Sequence, residues 1–308
     1  MDSNIENRYI WLNGEIVWVQ DAKINILSPT SQFGANVFEG IRCYWNEERD
    51  QLYAFRLNDH HKRLLNSVKM FRMENKFSTD VLKSSLIEVV RANQYREDIA
   101  VRQTIFIDGF GTWSSKGPAG MFVAPISKSR KVFNEDSMLK CCISSWQRIS
   151  DRNLSPRIKS GANYINSRMA LMEAMENGYD SAIFLNDQGK VAEGPGSCFF
   201  MIRDGSLVTP PFTASVLESI TRATIIEIAQ NVFNIETIER DIDRTELYIC
   251  DEAFLCGSSI EIAPIINIDG YIIGTGKIGI FTKQIHELYL RVVSGMLSEY
   301  QRWLTEIY

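Results

Sequence analysis

The sequence predicts a two-domain fold of the α+β or α/β type, and three observations carry that reading. Its 308 residues are enough for about two hydrophobic cores. Runs with strand period and runs with helix period recur in both halves of the chain. Between them lies SKSRKVFNEDS, Ser127 to Ser137, which is polar, charged and without a sustained period. The expected division is a small N-terminal α+β domain over residues 1–126, an interdomain loop over 127–137 and a larger domain over 138–308.

Taken in order, RYIWLNGEIVWV reads as a hairpin, because Asn13-Gly14 between two apolar runs is a type I′ turn signal. VFEGIRCYW and QLYAFRL form a second strand pair around the charged NEERD. A helix follows with Leu64, Leu65, Val68 and Phe71 at helical spacing and Asn58 or Asp59 as its cap. The next helix is capped by Ser78 and buries Leu82, Leu86, Val89 and Val90. IAVRQTIFI and GMFVAPI are strands. Past the linker come the strand LKCCISSW, a helix from Tyr164 closed by Gly178, and the strands SAIFLN, SCFFMIRDGSLVT, EAFLCG and IAPIINID. Helices over 221–233 and 277–304 complete the second domain.

Hydrophobic residues make up 45% and charged residues 23%, an ordinary globular balance. The net charge of −5 comes without a basic stripe, which argues against nucleic acid. No apolar run reaches the length of a membrane span, and the polar start MDSNIENRYI lacks an apolar signal core. A cytoplasmic protein is expected. Cys43, Cys141, Cys142, Cys198, Cys250 and Cys256 form no C-x-x-C pair and lie mostly in apolar runs, as free buried thiols do. His60, His61 and His286 lack the spacing of metal ligands.

Four short stretches carry chemistry. In SPRIKSGANYIN, Lys159 sits on a cramped segment of small and turn residues, whereas a lysine taken alone belongs on an open surface. In KVAEGPGSCFF, Glu193 precedes a tight Gly-Pro-Gly turn. In LESITRATII, Ser219, Ile220 and Thr221 open a helix whose first amides have no intrahelical partner and attract phosphate. CGSSIEI offers two hydroxyls and successive amides after a strand. Each has an ordinary structural reading as a surface lysine, an exposed turn, a helix cap or a plain turn. Together they describe the needs of pyridoxal phosphate: a lysine for its aldehyde carbon, an anion beside its pyridine nitrogen and an amide nest for its phosphate.

The order of these stretches, with Glu193 34 residues after Lys159, resembles the class IV (fold type IV) pyridoxal-phosphate family, and within it the branched-chain amino acid aminotransferases. The likeness runs nearly end to end, through YIWLNGEIV, FGANVFEGIRCY, HHKRLLNSVKMFR, SSWQR, KSGANYINS, EGPGSCFF, PPFTASVLESITRATII and DEAFLCGSSIEIAPI. It implies a D-amino-acid-aminotransferase-like fold with the active site between domains. By position, Lys159 is the catalytic lysine and general acid/base, Glu193 pairs with the pyridine nitrogen, and Tyr164 hydrogen-bonds the cofactor's phenolic oxygen. Arg63, Ile220, Thr221 and Ser258 hold the phosphate. Phe38, Gly40, Arg42, Arg102 and Ser259 line the substrate pocket with Ser258, Phe33 and Ala100. The resemblance also implies a homodimer, with a loop over residues 110–116 reaching the neighbouring subunit.

The substrate half departs from the family's pattern. Phe33 stands where a tyrosine is usual, Ala100 replaces another, Ile126 and Ser129 lie near positions that carry aromatics in bacterial members, and Ser258-Ser259 replaces Thr-Ala. The reading that follows is transfer of an amino group from a branched-chain or related hydrophobic L-amino acid to 2-oxoglutarate. The altered pocket admits a transaminase for D-amino acids, primary amines or a biosynthetic intermediate. A lyase of the aminodeoxychorismate type fits FEGIRCY poorly, and intact Lys159 and Glu193 argue against a non-catalytic binding protein.

Overall fold

The computed structural model describes residues 7–134 and 137–308, so the start MDSNIE and Glu135 and Asp136 of the expected linker lie outside the described residues. The chain folds into two compact units. One holds the chain up to Arg130 with Ile158–Ala162 and Arg291–Tyr308, and the other holds Lys131–Arg157 and Asn163–Leu290. The sequence-based division put Lys159 and the C-terminus in the second domain. Backbone pairing explains why both join the first unit.

In the first unit, β1 (Tyr9–Leu12) and β2 (Glu15–Trp18) form the expected hairpin. Asn13 and Gly14 take φ of 51° and 111°, as a type I′ turn requires. A short α1 (Pro29–Phe33) is capped by Ser28 and ends on Gly34. Then follow β3 (Asn36–Asn46), β4 (Gln51–Phe55), α2 (Leu57–Met70), α3 (Thr79–Asn93), β5 (Ile99–Ile107) and β6 (Ala119–Ser127). The C-terminal strand Leu304–Glu306 pairs antiparallel with β4, and Ile307 N–H donates to Leu52 O at 3.0 Å. The sheet order is C-terminal strand, β4, β3, β5, β6, β1, β2.

Two faces of this sheet differ in kind. Residues paired across antiparallel strands share a face. Val37, Ile41 and Cys43 of β3 pack with Val101, Ile105, Met121 and Val123 in one core, together with Leu64 and Val68 of α2 and Leu82, Leu86, Val89 and Val90 of α3. The alternate residues of the same strands make the other face. Because β4 pairs only with Cys43–Asn46, the N-terminal half of β3 has an open edge. The Lys159 segment fills it: Val37 bridges Ser160, and Phe38 N–H donates to Lys159 O at 2.9 Å.

The second unit contains β7 (Leu139–Ile143), α4 (Tyr164–Glu176), β8 (Ser181–Ile183), β9 (Glu193–Gly194), β10 (Ser197–Arg203), β11 (Ser206–Thr209), α5 (Ile220–Phe233), β12 (Thr237–Glu239), β13 (Glu252–Gly257), β14 (Glu261–Ile268), β15 (Tyr271–Ile272) and α6 (Ile280–Val293). Its sheet runs β12-β11-β10-β13-β14-β7-β8, with β9 on β10 and β15 on β14. The pairs β11–β12, β14–β7 and β7–β8 are parallel, so the sheet is mixed. Phe199, Met201, Val208, Leu255 and Ile265 fill one core, and Ala170 and Ala174 of α4 pack with Ala182, Phe184 and Ala192 in another.

Two helix boundaries differ from expectation. The first long helix begins at Leu57, and its cap position is Arg56 in left-handed conformation rather than Asn58 or Asp59. Arg56 is drawn there by tertiary contacts: its N–H donates to Trp303 O at 2.6 Å and its guanidinium lies 4.8 Å from the Trp303 ring. The last helix spans Ile280–Val293, not 277–304. The Glu252 carboxylate accepts from the Phe281 and Thr282 amides at its start, and Gly295 at φ 74° follows its end. All six cysteines are buried and free, and burial pushes the Cys43 and Cys250 thiols up to about 12. Among the described residues no helix is long and apolar enough to cross a membrane.

Candidate active site

The open sheet face of the first unit gathers the residues assigned to substrate. Gly40 pairs with Arg102, Arg42 with Ala100, Phe38 with Thr104, and Ala100 in turn with Ile126. Phe38, Gly40, Arg42, Ala100, Arg102 and Ile126 therefore stand on one face. The Arg102 guanidinium lies 3.8 Å from the Phe38 ring centroid, and Arg42, 3% exposed, lies 5.1 Å from that of Tyr44. A Cβ built on Gly40 meets nothing within 4 Å, so there is room above this strand. Phe33 is half-exposed at the end of α1.

Lys159 lies at the edge of that sheet. Its N–H donates to Ser67 Oγ of α2 at 3.1 Å, and its Nζ stands 5.0 Å from the Phe38 ring centroid. The small residues around it are explained by closeness. A Cβ at Gly161 would come 2.7 Å from Asn36 Oδ1, which already accepts the Gly161 N–H at 3.2 Å. A side chain at 161 would have to displace the Asn36 amide from this position.

Arg63 projects from α2 to Glu39 of β3. Its Nε and Nη2 donate to the two oxygens of Glu39, each at 2.7 Å, and His60 Nδ1 meets the same carboxylate at 2.7 Å. Burial alone would raise the pKa of Glu39, but Arg63 and His60 outweigh it and hold the carboxyl well below the usual range. Burial lowers His60 despite that carboxylate, and lowers His61, bonded to Gln103 Oε1 at 3.0 Å, to about 4. Glu39, inside the quoted FEGIRCY run, has no role in the sequence reading. Its signal is an acid in an otherwise apolar strand.

The second unit places Glu193 at the start of a tight turn, 2% exposed. Arg148 donates to its Oε1 through Nε at 2.8 Å, with Nη2 also 2.8 Å from that oxygen in the ion pair, and the Leu217 amide donates to Oε2 at 3.1 Å. Arg148 also reaches Asn166 of α4 at 3.0 Å, two residues beyond Tyr164. Leu217 leads into the opening of α5, where Ser219 Oγ accepts from the Arg222 amide and Thr221 is 2% exposed. Tyr164 packs toward the same turn: a Cβ at Gly196, φ 76°, would lie 3.5 Å from its ring. A Cβ at Gly257 would lie 3.4 Å from Gly196 O, which brings the Ser258-Ser259 turn alongside. Tyr164, Glu193, Ile220, Thr221, Ser258 and Ser259 thus sit on contiguous elements. Arg148, in the quoted SSWQR, has no task in the sequence reading. Its signal is a cation just past a strand end.

The family model described as amino-transferase class IV matches residues 36–268. A probable branched-chain-amino-acid aminotransferase of Aquifex aeolicus is 36% identical over 305 residues, covering 97% of each chain. A crystal structure of a branched-chain amino acid aminotransferase from Thermobaculum terrenum in its PLP form superposes with a TM-score of 0.92 at 42% identity, covering 99% of both chains. The T.th. branched-chain amino acid aminotransferase complexed with N-(5'-phosphopyridoxyl)-L-glutamate gives 0.92 at 35% identity, covering 99% of this chain and 100% of that one. With a family match over most of its length and relatives of this identity, the chain belongs to the class IV amino-transferase family.

Proposed function

We propose that the chain moves the amino group of a branched-chain or related hydrophobic L-amino acid to 2-oxoglutarate by a ping-pong mechanism, using pyridoxal 5'-phosphate. The observation that carries this reading is Glu193, a buried carboxylate backed by Arg148 next to the open amides of α5. The donor set suits the cofactor: an anion for a ring nitrogen, helix amides for a phosphate and, at Gly196 with φ 76°, a turn that glycine takes without strain. The solved relatives in a PLP form and with a phosphopyridoxyl-glutamate adduct support the same assignment.

When bound, the cofactor supplies an aldehyde carbon and a protonated pyridine ring that withdraws electrons from the substrate α-carbon. Lys159 is the catalytic base and acid. Its backbone is pinned by Ser67 and Phe38, so only side-chain torsions remain to carry Nζ, which takes the α-proton and gives it back. Glu193 would keep a proton on the ring nitrogen. The amides of Ile220 and Thr221, the Ser258 turn and Arg63 would hold the phosphate, and the Tyr164 hydroxyl would donate to the phenolic oxygen. Phe38, Gly40 and Phe33 receive the aliphatic side chain, and Arg42, Arg102 and Ser259 meet carboxylates. Ala100 leaves volume on that face.

The enzyme works in the cytoplasm as a homodimer. Phe110 and Trp113, 76% and 77% exposed on the loop over residues 110–116, are large apolar side chains that a neighbouring subunit would cover. Replacement of Lys159 tests the central assignment. Lys159→Ala should still take up the cofactor yet lack the parent's visible absorption band and turnover. A donor panel of L-, D- and β-amino acids and amines, followed as single half-reactions, should favour branched L-amino acids. Near-normal turnover in the variant, or a preference for D-amino acids, overturns the reading.

A further inference from the structure

The turn that joins β13 to β14 has an unusual second end. Gly257 pairs with Glu261 across a three-residue loop, Ser258, Ser259 and Ile260. Loops of this length place one residue in the left-handed region, where glycine sits without strain. Here that residue is Glu261, at φ 56°, and its side chain is wholly buried. Buried carboxylates need hydrogen-bond donors. Among those of Glu261 is the backbone N–H of Lys131, 2.6 Å from Oε2.

Two residues further on, the Phe133 ring stacks on His286 of α6, with centroids 3.7 Å apart and planes at 12°. His286 is 3% exposed, and burial lowers its pKa to about 4, so near neutral pH it presents an uncharged ring. The segment from Lys131 to Phe133 is therefore tied down at two points, one of them the residue that closes the Ser258-Ser259 turn. A glycine at 261 would relieve the backbone, so what the position gains from glutamate is the carboxylate. Strain of this kind is kept where the surroundings use it.

We propose that Glu261 is a positioning residue for transamination: it locks the Ser258-Ser259 turn to the Lys131–Phe133 segment, fixing the turn's hydroxyls and amides for an anionic oxygen. This rests on the proposed role of Ser258 and Ser259. Losing the carboxylate frees the segment and loosens the turn, which weakens anion binding more than it slows chemistry. Glutamine keeps a carbonyl oxygen that still accepts from Lys131 N–H, so it preserves the lock.

The test uses the holoenzyme and two variants. In the parent, the Lys131 amide should exchange its hydrogen at least about a hundred-fold slower than an unstructured amide. Glu261→Gly should be cut by trypsin after Arg130 or Lys131 about ten-fold faster than the parent, with the KM for 2-oxoglutarate raised about ten-fold and kcat within about three-fold. Glu261→Gln should stay close to the parent in all three. Free exchange at Lys131 in the parent overturns the lock, and needs no variant to fold. An unchanged KM in Glu261→Gly, or a fall in melting temperature alone, overturns the positioning role. A parent with no transaminase activity on any donor overturns the proposed function and leaves the exchange result to judge the lock.

Discussion

Arg148 donates through Nε to Oε1 of Glu193 at 2.8 Å, with Nη2 also 2.8 Å from that oxygen in the ion pair, while Oε2 accepts from the Leu217 amide at 3.1 Å. Both side chains of the pair are nearly buried, at 8% and 3% exposure. Stripping one charge from such a pair strands the other, which typically costs about 3–5 kcal/mol. The arrangement also holds the carboxylate in one orientation, since Arg148 is itself tied to Asn166.

Arg148→Met should therefore act on catalysis through Glu193. It should slow both half-reactions by about a hundred-fold or more and lower the melting temperature, while Arg148→Lys, which keeps the charge without the planar fork, falls between. Glu193→Gln should slow proton abstraction to a similar degree with a smaller loss of cofactor affinity. Stopped-flow spectra of each half-reaction measure both. Equal rates in Glu193→Gln and the parent would show that the carboxylate is a structural partner of Arg148 and nothing more.

Acid should destabilise the fold over a defined window. His61 and His286 are both buried and carry pKa values lowered to about 4 from the ordinary 6.5. The unfolded chain thus binds protons at pH values where the folded chain does not. Stability is complete above pH 6.5 and is lost as pH falls toward 4, by at most on the order of 3 kcal/mol per histidine. Glu39, held low by its cationic neighbours, adds a loss of the same sign at still lower pH. Urea unfolding at about pH 7, 5.5 and 4.5 measures the slope, and His286→Leu should flatten it. A stability that stays level across that range contradicts the buried neutral state of both rings.

Local chemistry made much of this fold legible. Asn13-Gly14 named its hairpin, Ser78 capped its helix, and IAVRQTIFI became β5 at Ile99–Ile107. What the sequence hid was non-local. Nothing near Lys159 says that its segment completes the edge of β3, far earlier in the chain, because that edge is open only where β4 stops pairing. Arg56 breaks the helix-cap rules on account of Trp303, and the C-terminal strand exists only as a partner for β4. For the candidate site, residue types and order pointed to Glu193 and the α5 terminus. The supporting charges, Arg148 and Glu39, are identified only by what they touch.

Arg102 sits in an environment that differs from what its strand suggested. An arginine within IAVRQTIFI looks buried, and an unpaired cation there would be costly. The structure instead puts it at the one exposed position of β5, with its guanidinium 3.8 Å over the Phe38 ring, while Arg42 on the neighbouring strand is the buried cation. An exposed guanidinium stacked on an aromatic keeps its charge at little cost and presents its edge to whatever lies above the sheet. Gly40, directly across from it, leaves open space for that purpose. Arg102→Leu should accordingly leave the melting temperature within about 2 °C of the parent, as expected for an exposed site. It should damage the 2-oxoglutarate half-reaction, whose substrate carries two carboxylates, about ten-fold more than it damages the hydrophobic-donor half. Ala100→Tyr, which adds a phenol on the same face, should tighten carboxylate binding and shift preference toward smaller aliphatic donors. Both half-reactions followed by stopped-flow in the two variants separate the cases. Equal slowing of the two halves in Arg102→Leu would assign this arginine to holding Phe38 in place, and carboxylate recognition would then fall to Arg42 and the Ser258-Ser259 turn.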